Sequence, residues 1–315
     1  MGRLVAVCAN PALDRNYVLD RLTPGTLHRT SNPTVTAGGK GVNVARVLAQ
    51  LGEKPLLLGF AAGDAGRFLH RELQNVGVRT HLTGLAGETR STINLLDRES
   101  GRETQITEAG PAVGPDSLNQ FLFHFEDTIE TGDLVVLSGG LPVGAPVDLY
   151  ARMIRIAHAK GARCIVDASP VPLAAALAEK PELVKPNLDE LSALYGKPVR
   201  QKAEIISAVR ALGIPRAVVS MGAKGALLVT PDGAWHAAPV AIRPVNTVGS
   251  GDSLTAGIAL AMHRKWNWKK TLALGMACAA SNAVRVEVGT VDSAEVEAWA
   301  VGVKVRKVPV RVPKR

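Results

Sequence analysis

The stretch NTVGSGDSLTAG, Asn246 to Gly257, sets three residues of little or no side chain ahead of an acid and an apolar run. Gly249, Ser250 and Gly251 let backbone N–H groups come close to a bound anion. The run LTAGIALAM that follows reads as a helix whose N-terminal dipole favours negative charge there. Asp252 stands at the mouth of this site. A carboxylate beside an anion hole repels the anion, so its use lies with the attacking partner. In phosphoryl transfer that partner is a hydroxyl, and an Asp accepts its proton while the amides hold the charge gathering on the moving group. On this reading Asp252, Gly249, Ser250 and Gly251 are the candidate catalytic residues. The same letters also describe a tight turn with Asp252 as a plain helix N-cap.

A second glycine-rich stretch, TAGGKGVNVARVLAQLG, runs from Thr36 to Gly52. Gly38, Gly39 and Gly41 allow the chain to pass close to a substrate, and Val42, Ala45, Leu48 and Ala49 fall at helical spacing. Lys40 either reaches a phosphate or lays its stem along the surface. No Ser or Thr follows this Lys and the leading glycines are wrongly spaced for a Walker A loop; nor does a GxGxxG follow a strand. P-loop NTPases and Rossmann dehydrogenases are therefore disfavoured.

The two stretches resemble, in the expected order, the C-terminal and N-terminal signatures of the PfkB (ribokinase-like) sugar kinases. The similarity extends from NPALD at Asn10 to the helix around Asn282. The resemblance implies ATP-dependent phosphorylation of a sugar hydroxyl, with Mg²⁺ and a response to K⁺ whose loop ligands are not readable here. It makes Asp14 and Asn43 ligands of sugar hydroxyls, although Asp14 alone reads as a surface turn residue. It makes Arg90, which follows Glu-Thr, a phosphate clamp, a use suited to a planar, permanently charged guanidinium; a solvent-facing strand Arg is the alternative. Lys185, Asn187 and Glu190 resemble the family's KPNxxE element. In it Lys185 neutralises phosphate charge, and Asn187 and Glu190, three apart at a helix start, hold a hydrated Mg²⁺. Without the resemblance these three are capping and surface residues. Ser220, Gly222 and Gly225 correspond to a turn beside adenine and ribose, with Asn282 on the adenine side. Many relatives carry Ser where Gly140 stands, which removes one sugar hydrogen bond. GETRSTIN, TEAGP, the NPALD opening and Asn246 are similar to the branch acting on phosphorylated ketohexoses. That branch comprises 1-phosphofructokinase, tagatose-6-phosphate kinase and the minor 6-phosphofructokinase. The acceptor expected first is fructose 1-phosphate, then tagatose 6-phosphate, then fructose 6-phosphate.

The elements that must hold these residues alternate. RLVAVCAN, KPLLLGFAA, DLVVLSGGLP and ARCIVDAS are apolar runs suited to strands buried on both faces, separated by helical patterns such as GDAGRFLHRELQNVG and PVDLYARMIRIAHAKG. This is the pattern of an α/β protein with a doubly wound, mainly parallel sheet flanked by helices. Ser138 and Gly139, at the end of the third run, are placed to line a site at the strands' C-terminal edge. Two segments, about 11–35 and 87–108, change to period-two alternation and suggest strands projecting from the main body, which the resemblance makes a small β-sheet lid inserted into one domain of 1–315. Arg29 lies on the first of them and is a candidate for facing an anion. The exposed lid edges suggest a homodimer formed through the lid strands.

At 315 residues and 46% hydrophobic content the chain has material for a large core, with no apolar run of membrane-spanning length and no signal-peptide pattern at its start. Cys8, Cys164 and Cys278 lie inside apolar stretches and read as buried thiols of a cytoplasmic protein. The seven histidines show no metal spacing. Six basic residues of the tail 303–315 account for six of the nine net positive charges and leave +3 elsewhere. The tail reads as a solvated terminus, so neither a nucleic-acid nor a membrane partner is expected. A non-catalytic sugar- or nucleotide-binding regulator on the same fold is the competing class, but it is expected to lack Asp252 or one of its glycines, and these are present.

Overall fold

The computed structural model describes residues 2–31 and 33–309. β1 (Leu4–Cys8) is buried at every position, as its run LVAVC requires of a strand covered on both faces. The chain leaves it for β2 (Ala12–Leu19) and β3 (Thr34–Gly38) and returns through α1 (Lys40–Gln50) to β4 (Leu56–Ala62), α2 (Gly63–Asn75) and β5 (Arg79–Leu85). A second excursion forms the hairpin β6 (Ser91–Asp97) and β7 (Glu103–Thr107). Alternation resumes with α3 (Pro115–Thr128), β8 (Leu134–Ser138), α4 (Leu149–Ala159), β9 (Arg163–Asp167), α5 (Pro170–Leu177), β10 (Leu183–Val184) and α6 (Leu188–Tyr195). After α7 (Lys202–Ala211) come β11 (Ala217–Ser220), β12 (Ala226–Thr230) and β13 (Gly233–Ala237), then α8 (Ser250–His263), α9 (Trp268–Ala283), α10 (Ser293–Gly302) and β14 (Val305–Val308).

The large sheet has the order β14-β13-β12-β11-β10-β9-β8-β1-β4-β5, parallel from β11 to β5 and antiparallel beyond β11. Alternate side chains of β1 feed two cores. Leu4, Ala6 and Cys8 pack with Val42 of α1 and Ile258 of α8, while Val5 and Val7 pack with Phe121 of α3 and Tyr150 of α4. Strand order reverses at β1, which lies between β8 and β4, so the strand ends beside it form the crevice where open α/β sheets take ligands. The three cysteines are buried and unpaired. Among the described residues no helix is long and apolar enough to cross a membrane.

The small sheet has the order β3-β2-β6-β7, with β2 and β6 parallel. Its cross-strand rows Thr36, Asp14, Thr92, Thr107 and Thr34, Asn16, Asn94, Gln105 share one face. Asn94 donates to Asn16 and Gln105 donates to Asn94, both at 2.8 Å, and this face meets Asn246 and Val286 of the main body.

Two expectations change. Val305–Val308 is not a solvated tail: Val305 and Val308 are half-buried with the exposed Arg306 and Lys307 between them, and it pairs antiparallel with β13 as the edge of the large sheet. The rest of the tail, 310–315, lies outside the described residues. The helix read as beginning near Leu254 begins at Ser250, capped by Gly249, so Asp252 is in its first turn and is not its N-cap.

Candidate active site

The start of α8 is shaped by Gly249. Its φ of 76° is a left-handed conformation that suits glycine, and an added Cβ would lie 2.6 Å from Val288 Cγ1. The first-turn N–H groups of a helix have no intrahelical acceptor, so Gly251 and Asp252 present donors beside the positive end of the dipole, while the Ser250 N–H donates to Thr247 O at 3.2 Å. Lys185 follows β10 and adds an ammonium there, its Nζ 3.6 Å from where a Gly251 Cβ would stand. The two features together favour a polyanion.

Asp252 is 6% exposed, and its Oδ2 accepts from Asn43 Nδ2 at 2.8 Å. Burial, then repulsion from Asp167, push its carboxyl up to about 7, while the Asn43 bond, Lys40 and Lys185 pull it back. A carboxylate poised there can accept a proton at neutral pH.

The charge of Asp167 organises the other side of this group. It closes β9 in register with Ser138 of β8 and is wholly buried. Its Oδ2 takes Lys185 Nζ at 3.1 Å and Thr255 Oγ1 at 2.8 Å, and its Oδ1 takes Lys40 Nζ at 3.4 Å. Burial works to raise the Asp167 carboxyl, but Lys185 and Lys40 outweigh it and hold the group below the usual carboxylate range. Lys40 in turn is held well above the ordinary lysine range by Asp167, with Asp252 and Glu190 adding to the effect. Neither Asp167 nor Thr255 is singled out by sequence. The available signal is an acid closing an otherwise apolar parallel strand at the ligand edge.

Asp14, on β2, approaches from the lid. Burial pushes its carboxyl up to about 6 against the pull of Arg46 and Arg90. A Cβ on Gly38 would lie 2.2 Å from its carboxyl carbon, so a side chain at Gly38 would displace Asp14. Arg90 donates through Nε to Asn10 Oδ1 at 3.1 Å, through Nη2 to Asn10 O at 3.2 Å and through Nη1 to Thr92 Oγ1 at 3.3 Å. Gly139 donates its N–H to Asp167 O at 2.9 Å, bringing the end of β8 to Lys40 and Asp167. Among the described residues Asn43 Oδ1, Ser138 Oγ and Thr36 Oγ1 are buried polar atoms without a protein partner. Such atoms suit hydroxyl recognition.

Asn187 and Glu190 bond each other. They form a reciprocal capping box at the start of α6, Asn187 N to Glu190 Oε2 and Glu190 N to Asn187 Oδ1, each 2.8 Å. Glu190 Oε1 lies 3.7 Å from Lys40 Nζ, so the carboxylate also faces the Lys40–Asp167 cluster. Among the described residues no group of three or more His, Cys, Asp or Glu is placed to hold a metal. This donor set suits Mg²⁺ held chiefly by water and phosphate oxygens.

Ser220 ends β11 and bridges to Asn187, and Gly222 and Gly225 bound the turn that follows. Asn282, which the resemblance sets on the adenine side, bonds the protein's own backbone and Ser250. Its Nδ2 donates to Val248 O at 2.8 Å and Ser250 Oγ at 3.2 Å, and its Oδ1 accepts from Gly289 N at 2.8 Å. Its amide holds the turn before α8 and is occupied within the protein. Arg29 is exposed in a cleft with Leu19, Asp20 and Arg98. Leu19 is five residues along β2 from Asp14, about 17 Å at strand rise, so the structure does not bring Arg29 into the cluster within this chain.

The geometry has known counterparts. Residues 5–294 match the pfkB family carbohydrate kinases. The chain is 40% identical over 268 residues to the 1-phosphofructokinase of Xanthomonas campestris pv. campestris, covering 82% of this chain and 83% of that one. It resembles the structure of phosphofructokinase-2 from Escherichia coli in complex with potassium, with TM-score 0.90, 29% identity and coverage of 96% and 99% of the two chains. It also resembles a possible 1-phosphofructokinase from Thermotoga maritima, with TM-score 0.88, 26% identity and coverage of 98% and 100%. The chain belongs to the pfkB family of carbohydrate kinases.

Proposed function

We propose that this kinase transfers the γ-phosphoryl group of ATP to the free primary hydroxyl of fructose 1-phosphate, giving fructose 1,6-bisphosphate and ADP. Tagatose 6-phosphate and fructose 6-phosphate rank second and third. The observation that carries the reading is Asp252: a buried carboxylate near neutrality, bonded on one oxygen by Asn43, beside a helix N-terminus and two lysines. A base and an anion site share one crevice there, as transfer to an alcohol requires. The 40% identity to a relative named 1-phosphofructokinase supports the choice of acceptor.

Asp14, Asn43 and Ser138 hold the sugar hydroxyls, and Arg90 holds the existing phosphate. Lys185, Lys40 and the first-turn amides of α8 receive the ATP phosphates. Glu190 and Asn187 would hold Mg²⁺ through water, and the metal would supply neutralisation of phosphate charge. The sugar oxygen forms a bond to the γ-phosphorus as the bond to the ADP oxygen breaks, and the hydroxyl proton passes to Asp252 and then to solvent. The potassium in the Escherichia coli relative supports a K⁺ response. The protein is a cytoplasmic homodimer joined through the lid. Ile106 of β7 is 54% exposed on the face that carries Ile93, and such an apolar edge suits a second copy. ADP release measured over the three sugar phosphates tests the assignment: fructose 1-phosphate should give the highest kcat/KM, and no turnover of any of them would refute it.

A further inference from the structure

We infer that Arg46 and Glu72 are a positioning pair that ties the root of the lid to the turn before α8, so that sugar and nucleotide reinforce each other's binding. The inference rests on the proposed function for the identity of the two ligands.

It begins with a backbone requirement. β3 is an edge strand of the lid sheet, and Ala37 stands opposite Leu13 of β2. The Leu13 N–H donates to Arg90 O, away from β3. An antiparallel residue directs its N–H and C=O to the same side, so Leu13 and Ala37 are a non-hydrogen-bonded pair and the polar groups of Ala37 point off the sheet edge. Ala37 is buried, and unpaired groups there are costly. Two side chains take the place of a further strand: Glu72 of α2 accepts the Ala37 N–H, and Arg46 of α1 donates to its carbonyl. The two are themselves paired, Arg46 Nη2 to Glu72 Oε1 at 3.1 Å. Ala37 immediately precedes Gly38, whose missing Cβ makes room for Asp14.

The same guanidinium reaches the nucleotide side. Arg46 Nη1 donates to Val288 O at 3.1 Å. The adjoining Gly289 donates to Asn282, which holds Val248 and Ser250 at the start of α8. On α1, Arg46 lies one turn from Asn43, which bonds Asp252. One residue, only 4% exposed, thus contacts the lid root and the loop that shapes the anion turn, through contacts of fixed geometry. A buried guanidinium left without its carboxylate is costly and would be expected to shift or draw in water, which loosens both ends.

The test is titration calorimetry of the Mg²⁺ complex of a non-hydrolysable ATP analogue, with and without saturating fructose 1-phosphate. Wild type should bind the analogue about 5-fold or more tightly when the sugar phosphate is present. Glu72→Gln, nearly isosteric and at a partly exposed site, and Arg46→Lys should bring that factor to within about twofold of unity while still melting cooperatively. Glu53→Gln, which breaks the exposed pair with Arg264, should leave it unchanged. A merely structural pair would lower Tm and leave the factor at its wild-type value, and that result in a folded Glu72→Gln protein overturns the inference. Wild type that turns over fructose 1-phosphate but shows no factor overturns the inference alone. Absence of both turnover and factor overturns the proposed function with it.

Discussion

Asn43 Nδ2 donates to Asp252 Oδ2 at 2.8 Å, joining the first turns of two helices 209 residues apart in sequence. The bond occupies one carboxylate oxygen and leaves Oδ1 for a substrate proton. Its direction also means that Asp252 cannot rotate freely, so the base has one orientation toward the crevice.

Because burial and Asp167 hold Asp252 at about 7, kcat/KM should rise with pH along an acid limb near that value. The groups facing Asp252 are Asn43 and Lys40 from α1, Asp167 from β9 and Lys185 after β10. Asp167→Asn removes the repelling charge, so its limb should move to lower pH, while kcat falls because Lys40 and Lys185 lose their shared anchor. A limb that stays or moves upward would contradict this account of the charges.

The same shift has a consequence for stability. A carboxyl whose folded pKa exceeds its unfolded value contributes stability that is fully present below the unfolded pKa near 3.8 and is lost as pH rises through about 7. Asp252→Asn should therefore melt above wild type at pH 8, and the gap should shrink toward pH 5. Equal melting temperatures across that range would show that the charged form is not strained by its site.

Arg90 is oriented by Asn10 and Thr92. Arg90→Ala should raise KM for fructose 1-phosphate by about 10- to 100-fold through lost charge-assisted bonds, with KM for ATP unchanged. An equal rise in both would remove Arg90 from the sugar side.

Glu190 caps α6, and one substitution separates this use from the Mg²⁺ role proposed for it. Gln at this position preserves the capping box with Asn187, so Glu190→Gln should leave Tm nearly unchanged while raising the Mg²⁺ concentration needed for half-maximal rate. A lowered Tm with an unaltered Mg²⁺ requirement would make the residue a cap only.

Much of this was legible in the residues themselves. Continuous apolar runs such as Leu4–Cys8 and Leu134–Ser138 mark strands covered on both faces, and the glycine turn ahead of Asp252 marks the tight entry into a helix, with a candidate anion site, on local chemistry alone. What depends on register was hidden. Asp167 matters because β9 lies beside β8 with Asp167 opposite Ser138, and because Lys185 emerges from the next strand; nothing within ARCIVDAS says so. Arg46 and Glu72 sit on separate helices and meet only across a lid edge. The start of α8 is hard to see in sequence because Ser250, Gly251 and Asp252 carry no apolar periodicity, and β14 is hard to tell from tail because the adjacent Arg306 and Lys307 break any alternation.

The central claim is that Asp252 takes the proton of the sugar hydroxyl, and single-turnover phosphoryl transfer by Asp252→Asn measures it most directly. The account predicts a transfer rate about 10²- to 10⁴-fold below wild type, with ATP affinity intact and melting still cooperative. Transfer at the wild-type rate by the folded variant would contradict it.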